Sequence, residues 1–230
     1  MKKYITLNAL ILFALYRLSF SVFAAEPAVP QVLRVSPAIL PISLTPGKIL
    51  NLILTVENLT ADPIPVKAEI ESFESADEEG GYTFTASQSP LVSWITVDRP
   101  DMILNPGIKR EIAVTVKVPS QVAVGGYYAV IFLTPYGPVQ QDVPRIVPRI
   151  GVPIFASLGI DENMKTGSIE TFTLNPTLSR TGAFSYTLRV KDSGLSHFTA
   201  KPVIRAKSVF GRELTTDLSE KVILPGKIRR

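Results

Sequence analysis

Apolar and polar residues alternate along most of this chain, in short runs of strand length. Leu50, Leu52, Leu54 and Val56 share one face of such a run, while Asn51, Thr55 and Glu57 share the other with Ile53. Val66, Ala68 and Ile70 alternate with Lys67, Glu69 and Glu71, and Ile112, Val114, Val116 and Val118 with Glu111, Ala113, Thr115 and Lys117. A period of two with one polar face predicts half-buried antiparallel strands. Nineteen prolines and 14 glycines punctuate the runs, and beyond residue 24 no segment sustains a helical period. Asp77-Glu78-Glu79-Gly80-Gly81 predicts a solvated hairpin tip between Phe73 and Tyr82. One shared core is expected to hold Leu52, Leu54, Val56, Ile70, Trp94, Val114, Val116 and Phe132. Trp94, the only tryptophan, would be its largest member.

The order of the runs starts twice and finishes once. A run ending Thr55-Val56-Glu57-Asn58, a second at Val66 to Phe73 and a Leu-x-Pro-Gly turn at Leu104 to Gly107 recur as Tyr186 to Ser193, Pro202 to Phe210 and Leu224-Pro225-Gly226. Two further runs follow Gly107 and reach Thr134, whereas four residues follow Gly226. The spacing predicts two β-sandwich domains, residues 25–140 and 141–230, with the second short of two strands. Its inner-face residues Leu188, Val190, Ile204 and Ala206 would then be partly uncovered. Either the chain continues beyond Arg230, or a partner strand completes the domain.

Two segments depart from the pattern. Pro135, Pro138, Pro144, Pro148 and Pro153 predict an extended connector over residues 135–153, because proline fixes φ and biases its predecessor toward extended geometry. The run Tyr127 to Thr134 is apolar on both faces: Tyr128, Val130 and Phe132 point one way, and Tyr127, Ala129, Ile131 and Leu133 the other. Such a strand is covered on both sides. Two coverings fit: the connector or second domain, or a partner that pairs with this strand by β-addition.

Residues 1–24 read as a secretory signal, with Lys2 and Lys3 before an apolar stretch at Ile5 to Tyr16 and a small-residue cleavage pattern at Val22-Phe23-Ala24. Arg17 interrupts the apolar run, which argues against a membrane anchor, and no later stretch is long enough to span a bilayer. The expected location is the periplasm or the cell surface. Without Lys2, Lys3 and Arg17 the chain carries 21 bases against 20 acids. The near balance hides an asymmetry: residues 25–140 have a net charge of −5 and residues 141–230 of +6. Opposite signs would help the halves dock, or turn the basic half toward an anionic envelope polymer. The chain has no cysteine, so core burial must stabilise both domains without disulfides.

The sequence lacks the usual signs of catalysis. One histidine and no cysteine cannot fill a tetrahedral metal site. The acidic cluster at Asp77 to Glu79 fits no calcium-loop spacing, and Gly125-Gly126 precedes a strand where a phosphate loop would follow one. His197 has Ser196 and Asp192 nearby, but no nucleophile motif surrounds them, and a surface histidine is expected. A near-neutral exported chain without basic residues interleaved among aromatics does not suggest nucleic-acid binding. No enzyme activity and no cofactor are expected. Asn58-Leu59-Thr60 matches a glycosylation acceptor and reads equally as a turn.

Several motifs carry a family resemblance: Leu44-Thr45-Pro46-Gly47, Val56-Glu57-Asn58, Phe73 before the acidic turn, Trp94-Ile95, Leu104-Asn105-Pro106-Gly107, Val118-Pro119 and Gly125-Gly126-Tyr127-Tyr128-Ala129. Together they resemble the immunoglobulin-like domain of bacterial surface proteins that accompany WxL proteins. That resemblance implies two immunoglobulin-like antiparallel sandwiches and a binding or scaffolding role on peptidoglycan or an envelope protein. The chain also resembles periplasmic pilus chaperones, which have two such domains in about this length, present an apolar strand of the first to a subunit, and grip the subunit's terminal carboxylate with a basic pair. By position, Arg34 and Arg149 would form that pair in one groove, and Tyr127, Ala129, Ile131 and Leu133 would be the strand positions that meet the partner.

Overall fold

A computed structural model describes residues 32–86, 88–136, 148–175, 185–207, 211 and 213–230. The expected signal segment and much of the proline-rich connector lie outside these residues. The described chain is almost all strand and forms two immunoglobulin-like antiparallel β-sandwiches. No helix among the described residues is long and apolar enough to cross a membrane.

The alternating runs of the first half fix its register. β3 (Ile49–Asn58) lies antiparallel to β8 (Lys109–Lys117), with Leu54 opposite Ile112 and Leu52 opposite Val114. The inward set Leu54, Val56, Ile112, Val114 and Val116 is fully buried. β1 (Leu33–Ser36) and β6 (Ile95–Val97) flank this pair and complete a four-stranded sheet ordered β1-β3-β8-β6. The facing sheet is built on β4 (Ile64–Ser75) and β9 (Gly125–Pro135), which pair from Val66–Pro135 to Glu71–Val130. β5 (Tyr82–Thr85) and β7 (Asp101–Leu104) both lie along β4. On the far side β10 (Ile150–Leu158) pairs with β9 along its whole length, and β2 (Leu40–Leu44) pairs parallel with β10. β10 is therefore a strand of the first sandwich, although it follows the boundary expected near residue 141. Trp94, at the end of the single helical turn α1 (Leu91–Trp94), is 9% exposed and lies 5.0 Å from the Tyr127 ring. Leu52 and Ile70 sit half-buried against this core, but Phe132 does not share it and belongs to a separate cluster with Phe73, Val130, Phe155 and Leu224.

The second half is made of smaller sheets. β11 (Gly167–Asn175), β12 (Ser185–Asp192) and β17 (Ile228–Arg229) form one, β13 (Phe198–Ala200) and β16 (Lys221–Ile223) a second, and β14 (Val203–Lys207) with β15 (Glu213–Asp217) a third. The sequence repeat is also a structural one. The Gly107 N–H donates to the Asn58 carbonyl at 2.9 Å, and the Gly226 N–H donates to the Asp192 carbonyl at 2.9 Å. Both glycines follow proline and take φ near +70°, at +66° and +71°, the left-handed corner a type II turn needs and glycine supplies without strain.

The two halves meet over an aromatic cluster and a set of ion pairs. Leu224, with Val222 beside it, packs on Phe73, Val130, Phe132 and Phe155, so the outer face of β9 is covered partly by the second half. The hairpin tip between β4 and β5 is not simply solvated. Glu78 holds the Arg189 guanidinium through both carboxylate oxygens, Glu79 pairs with Arg230 at 3.3 Å, and the Arg230 N–H donates to the Glu78 carbonyl at 2.8 Å. The Asp77 carboxylate accepts three backbone N–H bonds, from Glu79, Gly80 and Gly81 at 2.7–2.9 Å. These donors, Gly81 foremost, hold its pKa below the usual carboxylate range.

Candidate functional site

Partners are unevenly distributed along β10. β9 follows it from Ile150 to Leu158, whereas β2 follows only Ile154–Leu158. Among the described residues, the outer side of Ile150–Pro153 therefore has no strand beside it. β1, at the edge of the other sheet, lies next to β10, so two unpaired edges meet at one corner of the sandwich. Unpaired N–H and C=O groups on an edge are a template for an added strand. Pro153 has no N–H to contribute, a lack that an edge position tolerates. Val152 and Ile154 are fully buried beneath this edge, which anchors it to the core.

Arg149 enters this strand with its guanidinium 3.6 Å from the Phe132 ring centroid and bonded to Glu71 at 2.7 Å. Phe84 packs edge-on against Phe132 at 5.0 Å, so the cation is held over an aromatic pair on the outer face of the six-stranded sheet. Arg34 lies on β1, bonded to Glu57 at 2.9 Å. Its neighbours Leu33 and Val35 face the core, so Arg34 faces outward from the four-stranded sheet. The two arginines thus sit on opposite outer faces, each with its own carboxylate. In this structure each arginine is paired with a glutamate of its own sheet, Arg34 with Glu57 and Arg149 with Glu71.

The candidate strand residues are also placed differently from the sequence expectation. β9 is paired on both sides, by β10 and β4, and has no edge to offer. Ala129, Ile131 and Leu133 are fully buried in the sandwich core, and Tyr127 is half-buried under Trp94. Of the two coverings weighed for the doubly apolar strand, the internal one is observed. The open edge belongs to β10 instead. Its period-two set Ile150, Val152, Ile154, Ala156 and Leu158 was a signal for that strand, masked by its prolines.

His197 is not a plain surface residue. It is half-buried where the halves meet, 5.2 Å from the Phe155 ring and 5.6 Å from the Tyr128 ring. Its Nδ1 lies 3.4 Å from the Tyr128 and Ser196 hydroxyls, and its backbone N–H donates to the Tyr128 hydroxyl at 3.0 Å. Burial, with Lys165 adding to it, pushes the imidazole down to about 4, and burial pushes the Tyr128 phenol up. Asp192 Oδ1 accepts from the Gly194 N–H, and Oδ2 has no partner, so Asp192 does not orient the imidazole as a relay requires. Among the described residues, no cluster of three His, Asp or Glu could hold a metal ion.

No protein-family model matches the chain, and comparison with curated proteins gives no match. Among solved structures, the chain is similar to the class 5 fimbriae chaperone CfaA, with 12% identity and a TM-score of 0.50 over 85% of this chain and 83% of that one. It is similar to the same extent, with 12% identity and a TM-score of 0.50 over 85% and 83% of the two chains, to a chain from a chaperone–tip adhesin complex of CFA/I fimbriae biogenesis. At that identity the likeness is one of fold. The resemblance to pilus chaperones drawn from the sequence thus holds at the level of fold. The resemblance to the WxL-associated domain finds no support in these comparisons.

Proposed function

We propose that this protein is a periplasmic, non-enzymatic chaperone of the pilus type, which binds an incomplete subunit by strand addition along β10. The observation that carries the reading is the open corner, where Ile150–Pro153 of β10 and the outer edge of β1 both lack a strand partner among the described residues. The likeness in fold to two chaperone structures supports it. The expectation of a peptidoglycan-binding scaffold has no comparable observation behind it. Arg149 lies next to the open edge, and a subunit carboxylate could take the place of Glu71 on it, since arginine binds carboxylates through paired N–H groups.

Coexpression with fimbrial subunits, affinity capture and hydrogen exchange on the complex test this reading. The expected result is a stable one-to-one complex with new amide protection at Ile150–Pro153, weakened by Arg149→Ala without loss of folding. Sedimentation with cell walls in place of subunit capture would instead establish the envelope-scaffold reading.

A further inference from the structure

We propose that the turn Ser193–His197 is an acid-released latch between the two sandwiches: protonation of His197 undocks it from β9 and β10 while each sandwich stays folded. Three hydrogen bonds that cross the joint hold the turn in place. The Gly126 N–H donates to the Leu195 carbonyl at 2.8 Å, the His197 N–H donates to the Tyr128 hydroxyl at 3.0 Å, and the Ser196 and Ser157 hydroxyls lie 2.8 Å apart. Ser196 is fully buried by this docking. The fit is close, since a Cβ on Gly126 would collide with the Tyr128 hydroxyl and fall 3.2 Å from the Ser196 Cα. Leu195, Ser196 and His197 belong to no strand, so the turn can leave without breaking a ladder of either sandwich.

His197 puts the trigger inside this contact. Its ring lies against Phe155 and Tyr128, and its Nδ1 faces the Tyr128 and Ser196 hydroxyls. A neutral Nδ1 accepts from either hydroxyl. A proton there makes it one more donor among donors and sets a charge against two aromatic rings, away from water. The surrounding charges do not offset it. Lys165, after the turn Glu162–Met164, is positive and opposes it. Asp192, at the end of β12, spends Oδ1 on the Gly194 N–H, and burial favours its neutral form as pH falls. Glu74 and Lys227 pair with each other beside the groove that Tyr128 and Leu195 line. Burial first and Lys165 second hold the docked imidazole at about 4, against 6.5 when free. The docked turn is therefore fully favoured above pH 6.5 and loses that contribution as pH falls toward 4. The Leu224 contact and the Glu78–Arg189 pair do not pass through the turn, so the acid form is a loosened joint and not two separate halves.

His197 is the only histidine, so proton NMR of the full chain reads its titration without a variant, and hydrogen exchange at pH 7 and pH 4.5 reads the latch. The imidazole should titrate well below the free value. The protection factors of the Gly126 and His197 amides should fall about tenfold from pH 7 to pH 4.5, while amides in the β3 and β12 ladders keep theirs. His197→Gln, uncharged at both pH values, should abolish the response at Gly126. Four results would each overturn the proposal: a free-histidine titration, equal protection of Gly126 at the two pH values, the same loss in His197→Gln, or a loss shared by the β3 and β12 ladders, which would be unfolding and not undocking. The titration and the exchange of the unaltered chain decide the matter even where the variant does not fold.

Discussion

Two residues at one position of the repeat show how a single atom changes a buried site. Asn58 is fully buried and satisfied: its Nδ2 donates to the Leu104 and Asp62 carbonyls at 2.9 and 2.8 Å, and its Oδ1 accepts from the Thr60 N–H and hydroxyl. Its place in a glycosylation-like triplet is thus that of a turn residue. Asp192, its counterpart, is equally buried but has a carboxylate with nothing to donate, and burial pushes its pKa up. Asp192→Asn should restore a donor facing Leu224, the counterpart of Leu104, and stabilise the protein by about 1 kcal/mol at neutral pH in a urea melt. Asp192 has a folded pKa above its unfolded one, so it loses stability as pH rises through that range. His197 has the reverse sign: its folded pKa is about 4 against 6.5, so its contribution is complete above pH 6.5 and is lost as pH falls toward 4. The loss should reach roughly 1–2 kcal/mol once solvent screening is allowed for. Melts at pH 7 and pH 4.5 should show it in the wild type and much less in His197→Gln.

At the scale of the element, β10 depends on close approach to β9. A Cβ on Gly151 would fall 2.8 Å from the Phe132 ring and 3.0 Å from Val130. Phe132 cannot easily yield, because Arg149 lies over one face and Phe84 packs against it. Gly151→Ala should therefore cost about 1–3 kcal/mol by overpacking and raise amide exchange along Ile150–Pro153. An unchanged melting midpoint would show that the aromatic pair is free to shift.

Across the whole molecule, the charge asymmetry read from the sequence finds its partners at the joint, where Glu78, Glu79 and Glu74 face Arg189, Arg230 and Lys227. These pairs are partly exposed and individually weak, and salt screens them. The apolar contact of Leu224 with the aromatic cluster is not screened and should hold the halves together. Glu78→Gln, or high salt, should lower the melting temperature of the second sandwich and leave that of the first unchanged, which calorimetry can resolve as a splitting of one transition into two. An equal fall in both would mean that the pairs do not act at the joint.

Local pattern alone determined the strands. A period of two specifies which side chains share a face, and Leu54, Val56, Val114 and Val116 are buried together as that rule requires. The repeat was equally legible, because proline followed by glycine closes the same turn at 106–107 and at 225–226. Only tertiary structure decided which edges pair. Strand alternation does not name a neighbour, and register is settled between segments far apart in the chain. β10 therefore joined the first sandwich across a proline-rich connector, β9 became a central strand, and Arg34 and Arg149 fell on opposite faces. The docked hairpin and the half-buried His197 were hidden for the same reason. Their burial comes from groups supplied by the other half of the molecule, which no window along the sequence contains.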